Sequence, residues 1–144
     1  MVMPSDQTQK TWVALMRAHK SAHEQVERAL KAAKLPPISW YDVLWELEQT
    51  TECGIRAFEL QPKLLLPQYG MSRLISKMEN EDLIWRGECP EDGRGLVLAI
   101  TEKGRELRKK MWAVYGPAMQ QALGSKLTNE EVGTLAVILG KLHK

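Results

Sequence analysis

The chain has 144 residues, 44% of them apolar and 26% charged, with a formal net charge of +2. That suffices for one buried core in a single domain. No stretch is apolar-poor enough to read as a disordered domain, and none approaches the ~20 apolar residues of a membrane span. Residues Met1 to Lys10 hold no apolar run ahead of a small-residue cleavage site, so no secretion signal is read. With Cys53 and Cys89 the only cysteines, a cytoplasmic, reducing setting with free thiols is expected. The charge is uneven: +3 over Met1 to Lys34, −5 over Leu35 to Ile100 and +4 over Thr101 to Lys144.

From about Thr8 to Ala33, Trp12, Leu15, His19, Ala22, Val26, Ala29 and Ala33 recur at three/four spacing and predict a long helix closed by Pro36-Pro37. Ser39 and Asp42 form an expected N-cap pair for a second helix that turns Trp40, Val43, Leu44 and Leu47 inward and ends at Gly54. A short third helix is predicted from about Ala57 to Lys63, with Phe58, Leu60 and Leu64 apolar. Pro67 suits the first position of a fourth helix whose buried stripe is Met71, Leu74, Ile75 and Met78. The tight turn Leu64-Leu65-Leu66 joins these two as a helix-turn-helix.

Ile84-Trp85-Arg86 and Leu96 to Ile100 flank an Asp-Gly turn and read as a β-hairpin. Thr101 caps a fifth helix carrying Leu107, Met111, Val114, Ala118 and Ala122, with a kink expected at Gly116-Pro117. Thr128 and Glu131 form a capping box for a last helix with Val132, Leu135, Ala136, Leu139 and Leu142 on one stripe. The fold class is therefore mainly α with a small β-hairpin wing. Residues of about 39–101 form the winged helix-turn-helix, and about 8–34 and 102–144 form terminal helices with more apolar face than one module covers. Those helices either bury their stripes within one chain or pack against a second subunit; the second is the preferred reading.

The run Leu64-x-Leu66-Pro67-Gln68-Tyr69-Gly70-Met71-Ser72-Arg73-Leu74-Ile75-x-Lys77-Met78-Glu79 resembles the recognition helix of MarR-type transcription regulators. Asp92-x-Arg94, followed by Leu98-x-Ile100-Thr101-Glu102-x-Gly104, is similar to that family's wing. Gln61, Pro62 and Gly70 depart from the commoner pattern; Pro62 bends or truncates a helix unless it lies in the first turn, and Gly70 inside a helix costs on the order of 1 kcal/mol relative to alanine.

The resemblance implies a homodimeric, sequence-specific DNA-binding regulator in a bacterial cytoplasm, on a near-palindromic operator with half-sites roughly 34–36 Å apart. It is expected to be no enzyme and to carry no cofactor. A winged-helix protein-interaction module that does not bind DNA is the alternative. DNA contact falls to Pro67, Gln68, Tyr69, Gly70, Ser72, Arg73, Lys77, Arg86 and Arg94. Gln68, Tyr69 and Ser72 suit base edges, Arg73 suits guanine or a phosphate, and Arg94 suits the minor groove. Asp92 is expected to orient Arg94 or Arg86, although turn chemistry alone also explains it.

By the same resemblance, a small aromatic or phenolic effector would sit among Trp12, His19, His23, Trp40, Tyr41 and Trp45, each of which core or interface packing explains equally well. The cysteines read as small buried hydrophobes more readily than as redox sensors. His19 and His23 lack the glutamate of a zinc-protease motif, and neither a phosphate-cradling glycine loop nor a Gly-x-Ser-x-Gly elbow is present.

Overall fold

A computed structural model describes residues 1–50, 53–65, 70–89 and 95–143. Helix α1 spans Asp6–Ala32, and the Ser5 hydroxyl caps it by accepting from the Thr8 N–H at 3.1 Å. It ends before the expected proline stop. Lys34 turns left-handed at φ 59, and the Leu35 N–H reaches back to the Leu30 carbonyl at 2.9 Å, a Schellman closure.

Helix α2 spans Ile38–Gln49 with Pro37 at its N-cap, so Ser39 and Asp42 do not cap it. A tertiary contact replaces the local one: the Glu27 carboxylate of α1 accepts from the Ile38 N–H at 2.6 Å. Trp40, Val43, Leu44 and Leu47 are buried as expected, and Asp42 is buried with them.

Helix α3 is one turn, Ala57–Leu60, continued by a 3-10 turn over Gln61–Lys63 that accommodates Pro62 near its start. Leu60 is fully buried, but Phe58 is 69% exposed. The expectation for Phe58 fails because a single turn offers only one inward position, and its ring lies under the Arg56 guanidinium at 5.9 Å.

Helix α4 spans Met71–Asn80. Its expected first residue, Pro67, lies outside the described residues, as do Gln68 and Tyr69. Gly70, just before α4, sits at φ 68 in the left-handed region. Glycine carries no Cβ penalty there, so it favours the start of α4 rather than weakening its interior. The helix closes as α1 does, with Asp82 at φ 62 and the Leu83 N–H on the Met78 carbonyl at 3.0 Å.

Strands β1 (Ile84–Glu88) and β2 (Leu96–Ile100) pair antiparallel from Ile84↔Ile100 to Glu88↔Leu96. Ile55 joins the far side of β2, exchanging hydrogen bonds of 2.9 and 2.7 Å with Leu98. This brings the loop after α2 beside the hairpin and overturns the expectation of free thiols. Cys53 and Cys89, separated by 36 positions in sequence, are disulfide-bonded with Cα atoms 5.8 Å apart.

Helix α5 spans Glu102–Ala122, capped by Thr101 and continuous as α-helix through Pro117. A 3-10 turn over Gly124–Lys126 leads to α6, Asn129–Gly140, where Thr128 and Glu131 form the expected capping box. Leu30, Leu44, Leu60, Ile75, Met78 and Met111 anchor a core shared by α1 to α5 and the hairpin. An Arg108–Glu48 ion pair ties α5 to α2. By contrast, α6 buries none of its residues, and Val137 and Ile138 stay 66% and 50% exposed. Trp12, Val13 and Met16 of α1 are likewise exposed. Among the described residues no helix is long and apolar enough to cross a membrane.

Candidate nucleic-acid interface

The amphipathic spacing of α4 sets which side chains are free. Ile75 and Met78 enter the core, leaving Ser72, Arg73, Ser76 and Lys77 exposed. The Lys77 Nζ stands 5.7 Å from the Trp40 ring of α2, a cation–π approach, while the residue as a whole stays exposed. Just past α4, β1 presents Arg86, whose Nε lies 3.6 Å from the Glu79 carboxylate. Arg86 therefore has a partner on α4; Asp92, the expected one, lies outside the described residues together with Arg94. Both Arg86 and Glu79 are more than a third exposed, so this pair contributes little to stability. Five expected DNA-contact positions, Gly70, Ser72, Arg73, Lys77 and Arg86, are each exposed.

The turn entering this surface is held from behind. The buried Asp42 carboxylate accepts from the Leu65 N–H at 2.8 Å. Reading Asp42 as a cap missed this role; an acid amid the apolar residues of α2 was the available signal.

Behind the turn, α1, α2 and α5 enclose a cavity of about 240 Å³. His19, His23, Tyr41 and Trp45 line it as expected, joined by Asp42, Leu65, Tyr115 and Met119, which sequence reasoning missed. Trp12 and Trp40 do not line it. Trp12 is 64% exposed near the start of α1, and Trp40 faces Lys77. Tyr41 stacks on Trp45 at 6.3 Å and meets Tyr115 edge-on at 5.0 Å. Burial pushes the Tyr115 phenol above its ordinary pKa, and the neighbouring Tyr41, Asp42 and Glu27 add to the shift. Among the described residues, no three His, Cys, Asp or Glu side chains are grouped to hold a metal ion.

No family model matches the chain. A MarR family transcriptional regulator from Streptomyces coelicolor, solved in complex with DNA, superposes with a TM-score of 0.85 at 22% identity, covering 99% of this chain and 89% of that one. The chain has the MarR fold. A second Streptomyces coelicolor structure with this MarR fold, the MarR family regulator AbsC, gives a TM-score of 0.83 at 23% identity over 99% and 95% of the two chains. In sequence, the transcriptional repressor IacR of Pseudomonas putida is 28% identical over 124 residues, 86% of this chain and 71% of that protein. Within the MarR fold α3 and α4 are the two helices of the helix-turn-helix, and β1 and β2 are the wing strands.

Proposed function

We propose that this protein is a sequence-specific DNA-binding transcription regulator, acting as a homodimer on a near-palindromic site. The observation that carries the reading is the outer side of α4, where Ser72, Arg73 and Lys77 stand exposed beside Arg86 of the wing. Hydroxyl and cationic groups of this kind suit base edges and phosphates, and a relative of the same fold was solved in complex with DNA. The chain's described core makes no use of these side chains.

Arg73→Ala and Arg94→Ala are each expected to lower affinity for the duplex upstream of the protein's own gene by roughly 5- to 100-fold while leaving the oligomeric state unchanged. Fluorescence anisotropy measures this, and a variant that binds like the parent removes that arginine from the interface. A steep fall in affinity with rising salt would report phosphate contact; a flat response would favour the interaction module.

The cavity supports a small aromatic or phenolic effector. A dry space of about 150 Å³ accepts benzene, so about 240 Å³ fits one substituted ring. Titration with simple phenols is expected to quench tryptophan fluorescence, and Trp45→Ala to weaken that binding about tenfold. An unchanged dissociation constant in the variant would place the ligand elsewhere.

A further inference from the structure

The Cys53–Cys89 disulfide takes no part in the reading above, yet it joins the two parts of the winged module that matter most for wing placement. Cys53 follows α2 and precedes Ile55, the residue hydrogen-bonded to β2. Cys89 directly follows Glu88, the last residue of β1, and in sequence precedes Asp92 and Arg94. Below this link the hairpin is already fastened by its own ladder and by the paired Ile55–Leu98 hydrogen bonds. On the returning side, Leu96 at the end of the ladder and Gly95 just before it are exposed. The disulfide is therefore the one covalent tie among the described residues, and it sits at the root of the wing. Cys53 is exposed to solvent whereas Cys89 is 4% exposed, so Cys53 is the member of the pair on the solvent side.

We propose that this pair is a redox-sensitive latch that sets how firmly the wing root is held. A thiolate of a small or protein dithiol attacks the Cys53 Sγ, the S–S bond breaks, and Cys89 leaves as a thiolate that takes up a proton. The second thiol of the reagent then displaces Cys53 from the mixed disulfide. The net change is two electrons and two protons to the protein and one disulfide in the reagent. Oxidation by a disulfide-bearing partner reverses it. Opening leaves the hairpin and the Ile55–Leu98 pairing in place, so the fold persists while the wing root loosens. Its effect on DNA rests on the proposed function; the latch itself does not.

The test compares the air-oxidised protein, the same protein in dithiothreitol, and C53S, which changes the exposed member and spares the buried one. Thiol titration is expected to find none free before reduction and two after. Amide exchange at Gly87, Glu88, Leu96 and Val97 is expected to quicken about tenfold on reduction, with the core helices unchanged. C53S should match the reduced protein and ignore dithiothreitol. Affinity for duplex DNA should fall about fivefold on opening. Two free thiols in the air-oxidised protein would overturn the latch, as would thiols appearing with no change in exchange. Equal DNA affinity in both states would overturn its role in DNA binding. Altered exchange with no DNA binding in either state would uphold the latch and reject the DNA-binding reading.

Discussion

Gly104→Ala is expected to cost about 3 kcal/mol of folding stability, near the upper end for overpacking, and to lower the melting temperature by roughly 10 °C. Gly104 is fully buried in the first turn of α5, where the Thr101 hydroxyl accepts its N–H at 3.0 Å. A Cβ added there meets the Leu83 carbonyl oxygen and, at 2.8 Å, the Ile100 side chain. Neither can yield freely. The Leu83 carbonyl already accepts the Thr101 N–H at 3.1 Å, and Ile100 pairs with Ile84 in the hairpin. The substitution drives α5 away from the Ile84–Ile100 end of the hairpin, where the two are joined. Urea denaturation followed by circular dichroism measures the loss; a midpoint within 1 kcal/mol of the parent by the usual linear extrapolation would mean the junction relaxes at about the cost of one ordinary surface change.

Ile138→Glu is expected to dissociate the proposed homodimer and lower DNA affinity by about 10²- to 10⁴-fold, the advantage that joining two reading units confers. The change leaves the core of one chain intact, since α6 buries none of its residues and Ile138 is 50% exposed. Apolar side chains left uncovered by their own chain mark an association site, and Trp12, Val13 and Met16 on α1 are exposed as well. Sedimentation velocity reads the assembly, and anisotropy reads the DNA. A variant that remains dimeric would move the interface away from α6. Arg73→Ala serves as the opposite control, weakening DNA binding without changing sedimentation.

The parts of the fold that were legible in sequence are those set by neighbours within a few positions. The Thr128–Glu131 capping box, the Thr101 cap and the antiparallel β1–β2 pair all depend on local chemistry. What could not be read depends on partners distant in the chain. Glu27 caps α2 across 11 positions, Asp42 holds Leu65 across 23, and Cys53 meets Cys89 across 36. Gly70 was misplaced for a different reason: helical periodicity says which residues share a face but not where φ changes sign. For the site, the outward set of α4 followed from the buried Ile75–Met78 stripe. The cavity was half legible, because aromatic composition identifies Tyr41 and Trp45 but gives no hint that Trp12 and Trp40 point elsewhere.

Trp40, Tyr41 and Asp42 are consecutive on α2 and therefore project about 100° apart around its axis. Trp40 meets Lys77 on α4, Tyr41 lines the cavity, and Asp42 serves both the cavity and the backbone of the turn at Leu65. Altering any one of them disturbs the helix that serves the others, so under the proposed function alleles at these positions would confound ligand response with operator affinity. Tyr115 and Met119 reach the same cavity from α5. Under the proposed function, those two positions are where a ligand response would be retuned genetically while the reading surface keeps its preference.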